Sequence, residues 1–271
     1  MSNRTSAMII SILILAAVIF GCKFSKNANT NTATSNNSNS SASTAPKPDA
    51  EGVVHSGTGV EKEKPAAGKA NVQGKVLFNE KPAADIEVKL CAKFSRFIGG
   101  CSGETFTTKT DQSGEYLIKD VPPGVYEGLT ARVFNTRYYV FATSGIVGSA
   151  KYQIDADQTF FAPDTSLFKS DLKLVSPKAG SKLAGSGIEV KWEAYPDAAY
   201  YKFSVHGDSS SGAQTEYDYI NKRVDGTSFV LDKPLSPGSY SCQVVAFNSN
   251  DVKLSESADD IKFSVTGDGA K

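Results

Sequence analysis

The chain is poor in the residues that most often carry catalysis and metal binding. Among its 271 residues there are two histidines, His55 and His206, two methionines and one tryptophan. Histidine-based metal sites and Ser-His-Asp triads therefore start from very few candidates. The 29 basic and 29 acidic side chains cancel, so the chain lacks the basic field that holds nucleic-acid phosphates. We expect no nucleic-acid partner.

Apolar runs long enough to cross a membrane are also missing. The run Ala7–Phe20, which follows Arg4, falls short of the roughly 20 residues that a spanning helix needs. Its length is typical of the hydrophobic part of a secretory signal peptide. The sequence therefore predicts a signal peptide over residues 1–21.

The run ends in Ile19-Phe20-Gly21-Cys22, which resembles the bacterial lipobox, with Phe20 standing where a smaller residue is usual. The resemblance implies cleavage before Cys22 and acyl chains, such as palmitate, on its thiol and new amino terminus. It places the chain in a bacterial cell envelope, with the membrane as a partner. Lys23 next to the cysteine resembles the outer-membrane sorting pattern of bacteria that have two membranes. The alternatives are a signal peptide without lipid and a short uncleaved anchor.

Residues 22–70 form the next segment, which is rich in Asn, Ser, Thr, Ala, Lys and Pro. Such a segment holds too little apolar surface to offset the entropy of ordering. We expect a disordered tether, with a root-mean-square reach of roughly 40 Å.

The remainder has the composition of an all-β protein, with 15 Phe, 11 Tyr, 23 Gly and 11 Pro. Short runs of alternating apolar and polar residues are separated by turn residues, a pattern typical of β-sandwiches. The sequence predicts two tandem β-sandwich modules, over residues 71–168 and 171–266. Strands of the first are predicted at 72–78, 86–90, 106–110, 115–119, 125–133 and 138–143.

The first module contains, in this order, Gly74-Lys75-Val76, Thr110–Tyr116 (TDQSGEY) and Val121–Tyr126 (VPPGVY). In these motifs it resembles the carboxypeptidase regulatory-like family, a small prealbumin-type sandwich. The resemblance fades after Thr130, so the tail from Asn135 to Phe168 reads as an insertion. The resemblance implies a mostly non-catalytic module that acts as a spacer or contacts proteins or sugars.

Two cysteines of this module, Cys91 and Cys101, are expected to form a disulfide, because the chain is predicted to be exported. The loop that the disulfide would close contains apolar and basic residues. This composition predicts a contact loop formed by Phe94, Arg96, Phe97 and Ile98. The alternative is that Phe94 and Phe97 pack onto the sandwich and the disulfide is purely structural.

A second aromatic cluster comprises Tyr138, Tyr139 and Phe141, with Phe160 and Phe161 later in the chain. Exposed rings at these positions would stack on sugars or anchor an interface. Packing in the core is the alternative for each of them.

The second module contains Val190-Lys191-Trp192, Ala199-Tyr200-Tyr201 and Leu235–Tyr240 (LSPGSY). In these motifs it resembles a fibronectin type III or related immunoglobulin-like sandwich. The resemblance implies that Tyr240 forms a tyrosine corner. Cys242 is expected to be a small buried residue, with pairing between chains as the alternative.

The sequence shows no Walker loop, dinucleotide-binding glycine motif, HExxH or GxSxG. We therefore predict no catalytic residues, no metal ligands and no cofactor. The leading hypothesis is a non-enzymatic, membrane-anchored lipoprotein that acts as an interaction or scaffold module for an envelope protein or glycan. The alternatives are a carbohydrate-binding lipoprotein using its aromatic residues and a hydrolase with an unrecognised carboxylate pair.

Overall fold

The computed structural model describes residues 49–95, 100–134, 136–142, 150–213, 219–258 and 261–267, all of which lie within one unit, Ser41–Lys271. Within these residues, the regular structure is made of strands, with one short 3-10 helix, Ser209–Ser211. The expected all-β class is therefore confirmed. Buried apolar side chains form two clusters, which we name the first core and the second core.

Twelve strands surround the first core. They are β1 (Val53–Val54), β2 (Ala70–Phe78), β3 (Lys81–Pro82), β4 (Glu87–Ser95), β5 (Gly100–Lys109), β6 (Glu115–Val121), β7 (Gly124–Tyr126), β8 (Gly128–Arg132), β9 (Tyr139–Phe141), β10 (Lys151–Ile154), β11 (Thr159–Phe161) and β12 (Thr165–Leu167).

Ten strands belong to the second half of the chain. They are β13 (Lys169–Leu172), β14 (Leu174–Ser176), β15 (Lys182–Ala184), β16 (Glu189–Trp192), β17 (Tyr200–Gly207), β18 (Lys222–Val224), β19 (Ser228–Val230), β20 (Gly238–Phe247), β21 (Lys253–Ser257) and β22 (Ile261–Thr266).

The first core lies between two principal sheets. One is built around β2, which pairs with β3, β6, β11 and β12. The other has the order β5-β4-β8-β9, and we call it the hairpin sheet. A smaller sheet, β1-β10-β7, completes the layer around the core. In the first half of β6 and in β10, buried residues alternate with more exposed ones, as expected for strands with one face on a core.

The motif Thr110–Tyr116 forms the turn that joins β5 to β6. Asp111 Oδ1 accepts hydrogen bonds from the backbone N–H of Ser113 at 2.9 Å and of Glu115 at 3.0 Å. Hydrogen bonds from Lys62 and Ser113 hold the pKa of Asp111 well below its usual range. Gly114 has a φ of +72°, and a Cβ there would lie 2.6 Å from the carbonyl oxygen of Val76. The turn therefore needs glycine for both reasons.

Gly74 in β2 is required by an aromatic neighbour. It pairs with Tyr116 across the sheet, and a Cβ at Gly74 would lie 2.5 Å from the Tyr116 hydroxyl oxygen. The Tyr116 ring therefore lies over the glycine and fills the space that a side chain would occupy. Burial raises the pKa of the Tyr116 hydroxyl, which keeps the group neutral.

The prediction that the whole of residues 22–70 is disordered is wrong for residues 49–70. The segment Asp49–Lys64, which we call the strap, lies along the first core. Val53 and Val54 in β1 pair with β10, and Val54 is fully buried. Further along, the backbone N–H of Gly57 donates to the backbone oxygen of Phe161 at 2.9 Å. The backbone N–H of Lys62 donates to Gln73 Oε1 at 3.0 Å.

Two other expectations for the first module need correction. The predicted strand 125–133 is interrupted at Glu127, and its halves, β7 and β8, belong to different sheets. The tail after Asn135, interpreted as an insertion, supplies β10, β11 and β12. Its residues Tyr152, Phe160 and Leu167 are buried in the first core, so the tail is part of the sandwich.

The second core lies between the sheet β13-β21-β20-β17-β18, extended by β22 and β15, and the sheet β14-β16-β19. Trp192 is buried against Tyr201 and Phe203, with ring centroids 5.4 and 6.2 Å apart. Tyr240 is buried and its hydroxyl donates to the backbone oxygen of Ser236 at 2.9 Å, so the expected tyrosine corner is confirmed. Cys242 is a buried thiol in this core, as expected.

Polar side chains join the hairpin tip of β2 and β3 to the second half of the chain. Asn79 and Glu80 have φ of 49° and 61°, the positive values of a type I′ turn. Asn250 Nδ2 donates to both carboxylate oxygens of Glu80, at 3.0 and 2.8 Å. The buried Asn248 donates to Asn79 and to Glu80, each at 2.9 Å. We call this network the junction.

Candidate functional site

The outer face of the hairpin sheet brings the two predicted contact regions together. Cross-strand pairing places Lys89, Thr130 and Phe141 in one row. The neighbouring pairs, Leu90 with Leu129 and Ala131 with Val140, are the ones that face the first core. Since the side-chain period of a strand is two, Lys89 and Phe141 point away from the core.

Phe94 joins this outer face beside a bulge, whose extra residue lies in β5. In a regular strand, residues 91 and 94 would point to opposite faces. The register of β4 against β5 shifts between Cys91 and Lys93, and Phe94 then pairs with Cys101. Directly opposed residues of two paired strands point to the same face, so Phe94 lies on the same face as Cys101 and its disulfide with Cys91.

The Phe94 and Phe141 rings form an edge-to-face pair, with centroids 4.6 Å apart and an interplanar angle of 80°. Both side chains are half-buried. Such a pair is stabilised by about 0.5–1.5 kcal/mol beyond the area that it buries. The predicted contact loop and the predicted aromatic patch therefore share one contact, at the end of the hairpin sheet.

The disulfide and a glycine lie next to this ring pair. Cys91 and Cys101 are joined, with Cα atoms 5.6 Å apart, so the predicted disulfide is confirmed. Gly128 lies opposite Cys91, and a Cβ at Gly128 would lie 2.5 Å from Cys91 Sγ and 3.2 Å from Phe94. A side chain at residue 128 would therefore displace Phe94 from its place on β8.

Glu127 fixes the same end of the hairpin. Its carboxylate accepts from Lys93 Nζ at 2.8 Å and from the backbone N–H of Phe94 at 3.4 Å. The hydrogen bond from Lys93 lowers the pKa of Glu127, so the carboxylate stays ionised. Charge and packing together hold Phe94 in position.

Tyr139 forms the polar part of the outer face. Its hydroxyl donates to Glu87 Oε1 at 3.0 Å and accepts from Lys89 Nζ at 3.3 Å. Lys89 also lies 5.3 Å from the centre of the Tyr139 ring. Burial opposes the ionisation of Glu87, but the hydrogen bonds from Lys89 and Tyr139 outweigh it and lower its pKa. The hydrogen bond to Glu87 raises the pKa of Lys89.

These contacts fix the Tyr139 ring although 37% of the residue is exposed. Tyr138 beside it is 51% exposed, and the Arg137 guanidinium lies 5.6 Å from its ring centre. At the opposite edge of the sheet, β5 exposes Thr105, Thr107 and Lys109 in register with β4. The face therefore offers fixed rings flanked by charges and hydroxyls, which we call the contact face.

Of the predicted site residues, the structure describes Phe94, Tyr138, Tyr139, Phe141, Cys91 and Cys101. Cys22, Arg96, Phe97 and Ile98 lie outside the described residues. Sequence reasoning missed Glu87 and Lys89 as parts of the site, although the alternation of β4 already turned both outward. It also missed the bulge, although Gly103 lies at its position in β5 with a φ of +75° and a glycine inside a strand is typical of a bulge.

The described residues contain no group of three or more His, Cys, Asp or Glu side chains placed to hold a metal ion. Within the same residues, no helix has the length and apolarity to cross a membrane. The predicted signal peptide lies outside them.

No protein-family model and no curated protein matches the chain. Solved structures give weak likenesses. Fibronectin(III)-like modules of CbhA from Clostridium thermocellum are 16% identical, with 35% of this chain and 96% of that one covered and a TM-score of 0.25.

The FN1–FN3 domains of chicken CNTN1 are also 16% identical, over 82% of this chain and 68% of that one, with a TM-score of 0.25. The major pilin subunit BcpA of Bacillus cereus, in its D312A form, is 13% identical over 73% and 70%, with a TM-score of 0.26. At these scores the likenesses carry no argument about function. The fold rests on the strands and cores described above.

Proposed function

We propose that this chain is a non-enzymatic lipoprotein of a bacterial cell envelope, anchored by lipid on Cys22, which binds an envelope partner through the contact face. The observation that carries the proposal is the fixed arrangement of Phe94, Phe141 and Tyr139 on one outward face. Aromatic anchors that are held in place before binding lose little entropy when the partner arrives.

The anchor would set where binding occurs. Two or three acyl chains on one residue make a stable attachment, whereas one chain binds membranes marginally. The strap limits the expected tether to residues 23–48, because the chain beyond Asp49 is folded against the first core. A disordered stretch of about 26 residues would have a reach of roughly 30 Å. Confinement within that distance raises the local concentration of a partner in the envelope.

Metabolic labelling with a fatty-acid probe tests the anchor. Cells that produce the wild-type chain should label it, and Cys22→Ser should abolish both the label and partitioning into detergent. Labelling that persists in Cys22→Ser, or a wild-type chain without label, would overturn the lipid anchor.

Photo-crosslinking in intact cells tests the contact face. A photoreactive phenylalanine analogue in place of Tyr138 should give a discrete crosslinked product, because that ring lies exposed beside the contact face. The same analogue at Val230, which is 54% exposed in β19 of the second core, is the matched control. Equal products from both positions, or none from residue 138, would contradict the proposal.

A carbohydrate ligand is the second candidate for the contact face. It is favoured by Tyr139, whose ring is exposed while its hydroxyl is held by Glu87 and Lys89. Rings of this kind stack on apolar sugar faces, and the nearby threonines and charges offer hydrogen bonds. Affinity electrophoresis through gels containing envelope polysaccharides should retard the wild-type chain and not Tyr139→Ala. Unchanged mobility across the panel would remove this candidate.

We infer in addition that the first sandwich belongs with carboxypeptidase regulatory-like domains and the second with fibronectin type III domains. The Asp111 turn with Gly114 supports the first assignment, and the Tyr240 corner supports the second. An experimental structure in which either sandwich has a different strand order would overturn that assignment.

A further inference from the structure

A cleft of about 480 Å³ opens on the outer face of the second core, outside the contact face of the first. Apart from Tyr240, which is buried in the second core, six of the residues that line it carry polar side chains: His206, Asp208, Ser239, Ser241, Lys262 and Ser264. Its volume lies within the range of clefts that bind small molecules.

Strand pairing arranges these side chains in two rows. His206 pairs with Ser241, and Ser241 pairs with Lys262, so the hydroxyl lies between two nitrogen-bearing side chains. In the next row Ser239 pairs with Ser264, and the backbone N–H of Asp208 donates to Ser239 at 2.9 Å. Adjacent pairs in a sheet have Cβ atoms about 4.5–5.5 Å apart, so one small ligand can contact a whole row.

The rows face solvent because the residues between them face the core. Val205, Tyr240, Cys242 and Phe263 are all buried in the second core, whereas His206 and Lys262 are exposed. Three hydrogen-bonded strands, β17, β20 and β22, therefore form a rigid floor for the cleft.

Turns form the two walls. On one side, the backbone N–H of Gly180 donates to the Lys262 carbonyl oxygen at 2.7 Å. On the other side, Ser211 Oγ accepts from the backbone N–H of Ser239 at 2.7 Å. Both walls are tied to the floor by hydrogen bonds, so the cleft is formed before a ligand arrives.

The row of His206 and Lys262 favours an anionic group, because the carboxylate that lines the cleft, Asp208, lies at the other row. Asp208 Oδ1 already accepts from the Ser210 backbone N–H at 2.9 Å and from its hydroxyl at 2.7 Å. These bonds, followed by the charge of Lys262, lower the pKa of Asp208. One Asp208 oxygen is thus committed to the turn, while the Lys262 ammonium and the His206 imidazole lie in the other row.

We infer that this cleft binds an acidic sugar, with its anionic group between His206 and Lys262 and its hydroxyls on Ser239, Ser241 and Ser264. A hydroxyl both donates and accepts hydrogen bonds, so serines match the hydroxyls of a sugar. An ammonium forms its stronger hydrogen bonds with an anion. This site is independent of the contact face and of the lipid anchor.

Calorimetric titration of the full chain in detergent tests the inference. The probes are glucuronic acid, glucose 6-phosphate, glucose and inorganic phosphate. We expect millimolar binding of one or both acidic sugars, and at least tenfold weaker binding of glucose and of phosphate. The comparison of the two acidic sugars distinguishes a carboxylate ligand from a phosphorylated one.

Two variants locate the site. Lys262→Ala should weaken binding of the acidic sugar about tenfold, because it removes one charge-assisted hydrogen bond. Lys191→Ala, an exposed lysine on β16 of the other sheet, should leave the affinity unchanged. Asp208→Asn keeps a side chain able to cap the turn and removes a like charge, so it should strengthen binding about twofold.

Glucose or inorganic phosphate binding as tightly as the acidic sugars would overturn the inference. Equal affinity of Lys262→Ala and the wild-type chain for the acidic sugar would also overturn it. The absence of any heat of binding at acidic-sugar concentrations about 10-fold above the expected millimolar dissociation constant would do the same. Thermal unfolding of each variant, with the same midpoint as the wild-type chain, shows that a lost affinity does not come from lost structure.

Discussion

At the scale of single residues, a few hydrogen-bonding side chains fix the turns that place the strands. Tyr240 bonds to the backbone oxygen of Ser236 at 2.9 Å and lies 3.0 Å from the Ser236 hydroxyl. In the first sandwich, Asp111 fixes the turn between β5 and β6 by accepting hydrogen bonds from two backbone N–H groups. Both residues lie in short sequence motifs that predict turns, because each motif contains the side chain that forms the hydrogen bonds of its turn.

The Tyr240 hydroxyl gives the first prediction. Tyr240→Phe should lower the free energy of unfolding by about 1 kcal/mol, since it leaves a half-buried acceptor without its donor. Tyr138→Phe is the matched control, because that residue is 51% exposed, and it should change stability by less than about 0.5 kcal/mol. Urea unfolding followed by tryptophan fluorescence measures both. Equal effects from the two variants would show that the corner is not stabilising.

The disulfide gives the second prediction at this scale. It closes a loop with a sequence separation of 10, and in the chain-entropy model such a loop stabilises by about 2.7 kcal/mol. Cys91→Ala combined with Cys101→Ala should lose about that amount in urea unfolding. Reduction of the wild-type chain should produce the same loss and should leave the double variant unchanged. A double variant as stable as the oxidised wild-type chain would contradict the prediction.

At the scale of elements, alternation of apolar and polar residues located most strands of both cores. It succeeded because these strands have one buried and one wet face, which is the condition that produces the pattern. It failed after Cys91, since a bulge shifts the register without changing composition. It failed again over residues 49–70, where partners distant in sequence hold the strap, such as Phe161 and Gln73.

The strap gives the third prediction. Val54 is fully buried, whereas Val60 in the same strap is 84% exposed. Val54→Ala should therefore cost about 2 kcal/mol of unfolding free energy, from lost apolar burial and the cavity left behind.

Val60→Ala should change stability by less than about 0.5 kcal/mol. Chemical denaturation of both variants is the measurement. If Val54→Ala is as stable as Val60→Ala, the strap is not packed on the first core and the original expectation of a disordered tether holds for residues 49–70.

At the scale of the whole molecule, the junction ties the two cores into one body. Glu80, Asn248 and Asn250 satisfy one another's hydrogen bonds between the hairpin tip and the β20–β21 turn. Lys169 adds contacts to the rings of Phe78 and Phe134, at 5.1 and 5.3 Å. Such a network fixes geometry, since breaking one of its hydrogen bonds leaves other polar groups unsatisfied.

The junction gives the fourth prediction. Glu80→Ala should leave both sandwiches folded and should loosen their relative orientation, because it removes three hydrogen bonds from Asn248 and Asn250. Small-angle scattering should show a larger radius of gyration, and hydrogen exchange should be faster at residues 248–252. Glu104→Ala, an exposed acidic residue of β5, should alter neither. A Glu80→Ala chain with unchanged scattering and exchange would contradict a junction that depends on Glu80.

The central claim, that the contact face is where the chain binds its envelope partner, is tested most directly by the affinity of the purified chain for isolated envelopes. Tyr139→Ala with Phe141→Ala should raise the dissociation constant at least tenfold, the effect of losing more than about 1.4 kcal/mol of binding energy. The control, Val175→Ala with Val230→Ala, removes two exposed apolar side chains from strands of the second half of the chain. This control should bind like the wild-type chain. An unchanged dissociation constant in the Tyr139 and Phe141 variant, with its thermal unfolding midpoint intact, would contradict the account.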